Sequence, residues 1–340
     1  DYTGLSGQEQ KQAVDGFVEE KLVAPFDLES GPLFRMILAQ TEQAKFVMGM
    51  NMHHIISDGW SRQVLYQEFF SCYESLRQGM EPSLKPLPVQ YKDYAVWQRN
   101  WLEAGELVRQ RDYWKGQLDD INNLELPTDR PRPPVQSYRG AVYQFTVSER
   151  VTAMANRCFA EHGVTSYMGL LATFEVLLSR YARQNLFGIG TPIANRRYSE
   201  LESLIGFFVN TLVMRADLTG DPSFAELLTQ TRQTALGAYA HQDLPFEQLV
   251  DDLVVVRDVS RSPVFQVMFA LQNYDQYSAP RSGMAMTHRF DGLHTTAKFD
   301  LSLFIGRDDP EISAVVEYNT DLFDRSTIEQ MSTRFEMLLE

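Results

Sequence analysis

The sequence contains 340 residues, of which 44% are hydrophobic, and its formal net charge is −14 at pH 7. Its length allows two ordinary domains, its hydrophobic content is typical of globular proteins, and no apolar stretch is long enough to span a membrane. The negative charge argues against a nucleic-acid partner, whose phosphates need basic surfaces, and two cysteines are too few for a disulfide framework, so we expect a cytoplasmic location.

Strands and helices alternate along the hydrophobic pattern, which predicts a layered α/β or α+β fold. An apolar run predicts a buried strand over residues 46–52. Apolar residues at helical spacing predict a helix over 60–76, and the aromatic-rich segment 91–114 is also predicted to be helical.

A proline-rich segment divides the sequence. Four prolines fall within residues 126–134, and proline fits neither a helix interior nor a central strand. We therefore predict a stiff, extended linker over 126–140, with an N-terminal lobe at 1–125 and a C-terminal lobe at 141–340.

The alternation continues beyond the linker. The predicted strands lie at 141–147, 186–193, 264–271, 301–305 and 312–318. The predicted helices lie at 149–162, 166–181 and 223–241, and a final amphipathic stretch covers 326–340. The helix at 166–181 is apolar on most faces and should be buried.

A compact set of reactive residues follows the first predicted strand, in the run Met52-His53-His54-Ile55-Ile56-Ser57-Asp58-Gly59-Trp60-Ser61. Histidine can accept and return a proton near neutral pH. In extended backbone the two histidines would point to opposite sides, so that one faces a cleft while the other holds the loop. Asp58 could fix a histidine tautomer or pair with an arginine. Gly59 lets a ligand approach the start of a helix, whose N–H groups favour an oxyanion.

Two other kinds of site fit this run poorly. Adjacent histidines that point apart seldom share one metal ion, and the remaining histidines at 162, 241, 288 and 294 show no ligand spacing with them, so we predict no metal. The chain also lacks the G-x-S-x-G elbow of many serine hydrolases.

Four further motifs follow the H-H-x-x-x-D-G run in chain order. They are Tyr91-Lys92-Asp93-Tyr94-Ala95-Val96-Trp97, Ile205-Gly206-Phe207-Phe208-Val209-Asn210-Thr211 with Arg215, His241-Gln242-Asp243-Leu244-Pro245-Phe246-Glu247, and Arg257-Asp258-Val259-Ser260-Arg261-Ser262-Pro263. With these five motifs the chain resembles the condensation domain of nonribosomal peptide synthetases, in the superfamily of chloramphenicol acetyltransferase. The family has two more motifs upstream that are not found here, so we expect a fragment with an incomplete N-terminal lobe.

The resemblance implies a fold and a reaction. Two chloramphenicol-acetyltransferase-like lobes would form a V, with the active site in a tunnel at their junction and a crossing segment near 274–296. The reaction would join a carrier-bound donor acyl or peptidyl thioester to the amine of a carrier-bound acceptor amino acid. Upstream and downstream peptidyl carrier proteins would deliver the phosphopantetheine arms beside an adenylation domain, and the domain itself would bind no cofactor. Such synthetases make secondary metabolites, including antibiotics.

The resemblance also suggests roles for the motif residues. His54 would act as a base or would position the amine, and His53 would hold the loop. Asp58 would pair with an arginine of the second lobe, Arg196 being the first candidate and Arg215 the second. Gly59 would face the thioester oxygen.

The substrate tunnel would be lined by Trp60, Ser61, Gln272 and Asn273, although Trp60 fits a core aromatic position equally well. No chemical role is expected for His241.

Several relatives of this family remain as alternatives. An epimerization domain, or a dual epimerization and condensation domain, shares the histidine motif. A non-catalytic recruitment platform usually has a degraded motif, and a heterocyclizing relative replaces the histidines with aspartates. A free-standing acyltransferase for small substrates is the last alternative.

Overall fold

The computed structural model describes residues 1–253, 258–272, 296–308 and 310–340. The chain forms two compact units. The first unit consists of Asp1–Ala95 and Arg196–Phe208, and the second consists of Val96–Asn195 and Val209–Glu340. The first unit thus includes a short segment, Arg196–Phe208, that is distant in sequence from the rest of it.

The elements of the described residues mix helices and strands throughout. The helices are α1 (Gly7–Val23), α2 (Gly59–Arg77), α3 (Tyr91–Trp101), α4 (Leu107–Leu118), α5 (Glu149–Glu161), α6 (Ser166–Ala182), α7 (Ser199–Glu202), α8 (Phe224–Ala240), α9 (Phe246–Leu253) and α10 (Arg325–Leu339). The strands are β1 (Phe34–Glu42), β2 (Lys45–Met52), β3 (Gly140–Val147), β4 (Leu186–Ile193), β5 (Asn210–Asp217), β6 (Val267–Gln272), β7 (Leu301–Asp308) and β8 (Glu311–Asn319). The predicted α/β character is therefore confirmed.

In the first unit, a hairpin leads into the reactive run. Strands β1 and β2 pair in antiparallel fashion with Phe34 opposite Met52, and α1 contacts both strands. The backbone N–H of His53 donates to Leu33 O at 2.9 Å, which fixes the chain one residue beyond β2. A short 3₁₀ helix, His54–Ile56, then connects to α2. The strand and helix predicted around this run are confirmed.

The predicted helix over 91–114 is interrupted. A π-helical turn, Leu102–Glu106, separates α3 from α4, and Gly105 within it has φ 117°. Glycine adopts such a positive φ readily because it lacks a Cβ atom. The hydrophobic pattern predicted the helical character but not this change of direction.

The proline-rich segment 126–134 contains neither helix nor strand, as predicted. Side chains fasten the linker to the second unit, of which it is part. Arg132 Nη1 donates to Asp300 Oδ1 at 2.9 Å, and Arg139 Nε donates to Asp321 Oδ2 at 3.0 Å. Its assignment as the boundary between two lobes of the family fold stays a prediction.

The second unit is built on a mixed sheet with the strand order β3-β8-β7-β6-β4-β5. Strand β6 is parallel to β4 and β7, and the other neighbours are antiparallel. Helix α6 is buried along most of its length, as predicted, and contacts α8 and α10. The predicted strand at 264–271 begins late, at Val267, because Val264 has φ 69° and is not extended.

Two further expectations concern the crossing segment and membrane-spanning helices. The proposed crossing segment near 274–296 lies outside them except for Thr296, so it stays a prediction. Among the helices that the structure describes, none is both long and apolar enough to cross a membrane.

Candidate active site

The two histidines occupy different backbone conformations. His53 is extended, with φ −67° and ψ 138°, whereas His54 begins the 3₁₀ helix. The pair therefore does not continue the alternation of a strand. The two rings still have separate neighbours: His53 lies edge-on to Phe26 at 5.9 Å, and His54 lies edge-on to Phe207 at 5.3 Å, both between ring centroids.

His53 holds the turn in shape. Its Nδ1 accepts a hydrogen bond from the backbone N–H of Ile55 at 3.1 Å. An accepting Nδ1 carries no proton, so the neutral ring is protonated at Nε2. The side chain is half-buried, and it caps the 3₁₀ helix much as an asparagine or aspartate would cap an α-helix.

His54, in contrast, is exposed at the start of the 3₁₀ helix. Its ring plane stands at 90° to that of Phe207. This is the edge-to-face arrangement that aromatic rings favour. An imidazole placed in this way is accessible to a substrate while it retains a defined neighbour.

Asp58 is buried and its two carboxylate oxygens are occupied by donors. Oδ1 accepts from the N–H of Ser61 at 2.8 Å, which caps α2, and Oδ2 accepts from the N–H of Phe208 at 3.0 Å. Arg196 Nη2 lies 3.2 Å from Oδ1. Burial, and secondarily the Asp58 charge, raises the pKa of Tyr91. A buried carboxylate held by three donors fixes the structure around it.

Arg196, the first candidate partner of Asp58, makes this ion pair. Besides Asp58, it donates to Ser61 Oγ at 2.9 Å, to Leu204 O at 2.8 Å and to Leu201 O. Its guanidinium lies 4.0 Å from the centre of the Phe208 ring. One buried arginine therefore organises the loop around it.

Arg215, the second candidate, lies in the second unit and has other partners. Its Nη2 is 3.0 Å from Asp120 Oδ2 and 3.3 Å from Asp217 Oδ2. Its charge is therefore used within the second unit.

The two residues after Gly59 also bind the segment Arg196–Phe208. Trp60 Nε1 donates to Glu202 O at 2.7 Å. Ser61 Oγ donates to Gly206 O at 2.8 Å and accepts from Gly206 N at 3.0 Å. The resemblance predicts that both side chains line the substrate tunnel. Ser61 is 0% exposed and its hydroxyl bonds to the backbone, whereas for Trp60 the role stays a prediction.

Seven backbone groups of residues 201–208 bond to side chains. A backbone with no regular ladder needs such partners when it is buried. The carbonyls of Leu201, Glu202, Leu204, Gly206 and Phe207 and the amides of Gly206 and Phe208 bond to side chains of Asp58, Trp60, Ser61, Tyr91 and Arg196. Sequence reasoning found both motifs but missed that one motif holds the other.

The glycine at position 206 is the sequence feature that indicates close packing in this segment. A Cβ atom at this position would lie 2.3 Å from Tyr91 Cδ2 and 2.9 Å from Phe208 Cε2. Glycine is thus required here by a close approach of Tyr91, and not by a special backbone angle.

Gly59 is the first residue of α2, a helix of 19 residues. The first N–H groups of a helix have no partner within it. Asp58 takes the N–H of Ser61 through its side chain and that of Arg62 through its carbonyl. The amides of Gly59 and Trp60 belong to the same first turn of the helix.

Other predicted residues lie elsewhere. Gln272 is the half-buried last residue of β6 in the second unit, and Asn273 lies outside the described residues. His241, also in the second unit, stacks on Tyr113 at 3.9 Å, with Nδ1 2.9 Å from Gly237 O, so its ring serves the fold. The described residues contain no cluster of three potential metal ligands.

Comparisons with known proteins identify the family. The family model of the condensation domain matches residues 1–340. A linear gramicidin synthase subunit of Brevibacillus parabrevis is 47% identical over 324 residues, which make up 95% of this chain and 6% of that protein. Malpibaldin synthetase of Mortierella alpina is 42% identical over 326 residues, which make up 95% of this chain and 6% of that protein. This chain therefore spans only a small part of the length of such curated relatives.

Solved structures share the fold. The X-domain from teicoplanin biosynthesis superposes with a TM-score of 0.85 and 24% identity, covering 97% of this chain and 76% of that one. From the match over its whole length and the identity to peptide synthetases, the chain belongs to the condensation-domain family of nonribosomal peptide synthetases.

Proposed function

We propose that this chain forms an amide bond between a carrier-bound donor thioester and the amine of a carrier-bound acceptor amino acid. The observation that carries the proposal is that the residues of the histidine motif differ in their contacts and exposure. His53 and Asp58 are committed to hydrogen bonds of the fold, whereas His54 is exposed. His54 is the group of the motif that is suited to meet a substrate.

In this reaction a base is needed after the amine has attacked the thioester, and not before. An α-amine has a pKa of about 7.7–8.0, so a useful fraction is neutral near pH 7. Attack on the thioester carbon gives a cationic nitrogen and an oxyanion. When His54 accepts the proton from that nitrogen, the intermediate collapses forward, with the carrier thiolate leaving. A placed general base contributes about 10²–10⁴-fold in rate.

The start of α2 would stabilise the oxyanion. The amides of Gly59 and Trp60 lie at the positive end of the helix dipole, and such donors act where negative charge develops. Asp58 contributes indirectly, because it caps the same helix and fixes its first turn.

The substrates would be delivered by partner domains. In this proposal both acyl groups are attached to phosphopantetheine arms of carrier proteins, one upstream and one downstream, with an adenylation domain adjacent. Tethering replaces a bimolecular encounter and thus supplies much of the rate enhancement. The relationship to linear gramicidin synthase supports this assembly.

The decisive test follows the acceptor carrier by intact mass. Donor and acceptor carriers are loaded with aminoacyl-phosphopantetheine and incubated with wild-type protein, with His54→Ala, or with His162→Ala. His162 is a matched control because it is an exposed histidine outside the motif. We expect a mass gain equal to the donor acyl group with wild type and His162→Ala, and its loss with His54→Ala.

Three results would count against the proposal. Transfer at the wild-type rate by His54→Ala would remove His54 from the mechanism. No transfer by wild type, together with inversion of the carrier-bound amino acid in chiral analysis, would favour epimerization. No reaction of either kind, with carrier binding retained, would favour a recruitment platform.

A further inference from the structure

We infer that Phe207 is a positioning residue for His54. The hydrogen bonds between residues 206–208 and the histidine motif hold the Phe207 ring against the His54 imidazole. This inference deepens the proposed function, on which its kinetic part rests. Its structural part concerns only the orientation of the His54 ring.

The contact itself has a defined geometry. The His54 and Phe207 ring centroids are 5.3 Å apart, and the ring planes are perpendicular. Edge-to-face pairs at about 4.5–7 Å are favoured beyond the burial of their surface. Such a contact is enough to favour one orientation of an exposed ring over others by several-fold.

The exposure of Phe207 argues that it does not serve the core. Phe207 is 36% exposed, whereas its neighbour Phe208 is 2% exposed and packs with Tyr94, Leu201 and Leu204. A half-exposed phenylalanine gains less from burial than a core residue does. The role of Phe207 is therefore better explained by its contact with His54 than by burial in the core.

The backbone around Phe207 is fixed residue by residue. Ser61 Oγ bonds to both the N–H and the C=O of Gly206, and Asp58 Oδ2 accepts the N–H of Phe208. Between them, Phe207 O accepts from the Tyr91 hydroxyl at 2.8 Å. Three consecutive residues are thus anchored by three side chains, two of which belong to the histidine motif itself.

This arrangement gives Asp58 and Ser61 a route to the reaction without touching substrate. They hold the backbone of residues 206–208, that backbone holds the Phe207 ring, and the ring limits the orientation of His54. A displacement of about 1 Å in a reacting group can cost about 10²-fold in rate. The rate of transfer should therefore depend on how well this backbone fixes the orientation of His54.

The experiment observes the imidazole directly. The protein is labelled with [¹³Cε1]-histidine, and the His54 signal is assigned by its loss in His54→Ala. In Phe207→Leu the signal should move, because the ring current of the phenylalanine is removed. Phe207→Tyr keeps a ring and should leave the signal near its wild-type position, while the His53 signal should stay unchanged in both variants. A His54 signal that does not respond to Phe207→Leu would overturn the inference.

The kinetic readout tests the consequence for transfer. Phe207→Leu should lower kcat about tenfold while the KM for the acceptor changes by less than about twofold, and Phe207→Tyr should restore kcat. Urea unfolding separates this from loss of structure: Phe208→Leu should lower stability much more than Phe207→Leu. Equal loss of stability in both variants, or no rescue by tyrosine, would refute the positioning role.

A second variant keeps the inference testable if Phe207→Leu does not fold. Tyr91→Phe removes only the hydroxyl that holds Phe207 O, and the His54 signal should move in the same direction by a smaller amount. If the signal moves in Tyr91→Phe, which keeps the Phe207 ring, but wild type transfers no acyl group, the positioning stands and the proposed function fails. If transfer occurs and neither variant moves the signal, the positioning fails alone.

Discussion

Arg196 and Asp58 form a buried ion pair although 138 positions separate them in sequence. Their side chains are 2% and 3% exposed. The pair joins the short segment Arg196–Phe208 to the loop that carries the histidines, within the first unit. It is the electrostatic centre of a network whose other members are mostly backbone groups.

Removal of the arginine should therefore be costly. Arg196→Met keeps apolar bulk beside Phe208 but leaves the Asp58 carboxylate buried without its cation. Loss of one partner of a buried pair typically lowers the free energy of unfolding by about 3–5 kcal/mol. Urea denaturation of the variant measures this loss.

The control is an exposed pair of the same kind. Arg180 lies 3.8 Å from Asp221, and the side chains are 76% and 93% exposed. Arg180→Met should cost no more than about 1 kcal/mol. A double variant, Asp58→Asn with Arg196→Met, should lose less stability than the sum of the two single changes, since no charge remains buried. Strict additivity would contradict the pairing.

His53 should be replaceable by a side chain that keeps its acceptor. His53→Ala removes the acceptor for the Ile55 N–H, and loss of such a cap costs about 0.5–2 kcal/mol. Asparagine can accept from a backbone N–H two residues ahead, so His53→Asn should recover part of the lost stability.

The measurement is thermal or urea unfolding of the two variants, beside amide transfer. We expect the order wild type, His53→Asn, His53→Ala in stability, and the same order in activity. If His53→Asn is as inactive as His54→Ala while fully stable, His53 has a chemical role that its hydrogen bond does not account for.

Most of the helices and strands could be predicted from local sequence. The contacts between distant segments, which assemble the candidate site, could not. The strand before the histidines and helix α2 have clear apolar periodicity, so both were predicted within two residues. The predicted strands do not include β5, Asn210–Asp217. Periodicity reports which face of an element is buried, and it carries no information on which distant segment covers that face.

The roles of Trp60 and Ser61 show the same limit. Their positions next to the motif predict contact with substrate, which for the Trp60 ring stays a prediction. The polar atoms of both side chains bond to the carbonyls of Glu202 and Gly206. A hydroxyl or indole N–H bonds equally well to a ligand or to a backbone carbonyl, so residue type alone does not distinguish these uses. The pairing of Asp58 with Arg196 came from the resemblance, since nothing in the spacing of the two residues indicates it.

Gly206 should not accept a side chain. In Gly206→Ala the new Cβ atom would lie 2.3 Å from Tyr91 Cδ2, so Tyr91 or the backbone has to move. Overpacking of this kind typically costs about 1–3 kcal/mol. It would also disturb the hydroxyl of Tyr91 that holds Phe207 O, so transfer should fall as well.

A second change identifies the clash. Tyr91→Ala alone removes the ring, and Gly206→Ala in that background should cost much less stability than in wild type. The matched control is Gly163→Ala, where a Cβ would meet nothing within 4 Å but φ is 65°, so that the cost is conformational. Equal costs for Gly206→Ala with and without the Tyr91 ring would show that the clash is not the cause.

Glu175 should make the stability of the second unit depend on pH. This residue of α6 is 1% exposed, its Oε2 accepts from Thr231 Oγ1 at 2.8 Å, and its Oε1 has no hydrogen-bond partner within the described chain. Burial raises the pKa of its carboxyl to about 8, against about 4.3 for an exposed glutamate. The folded protein thus keeps a proton that the unfolded chain releases.

The sign follows from proton binding. Between the two pKa values the native state binds more protons than the unfolded state, so the free energy of unfolding falls as the pH rises towards about 8. Above the folded pKa both states are ionised and the decrease stops. The slope cannot exceed about 1.4 kcal/mol per pH unit for one group.

Glu175→Gln removes this titration while it keeps the shape of the side chain. The stability of the variant minus that of wild type should therefore increase from pH 5 to pH 8, because the contributions of all other groups cancel in the difference. Urea unfolding of both proteins at pH 5, 6, 7, 8 and 9 measures it. Thr231→Val removes the hydrogen bond that lowers the carboxyl pKa, so in that background the levelling-off should move to higher pH. A stability difference that stays constant from pH 5 to pH 8 would show that Glu175 is already ionised in the folded protein.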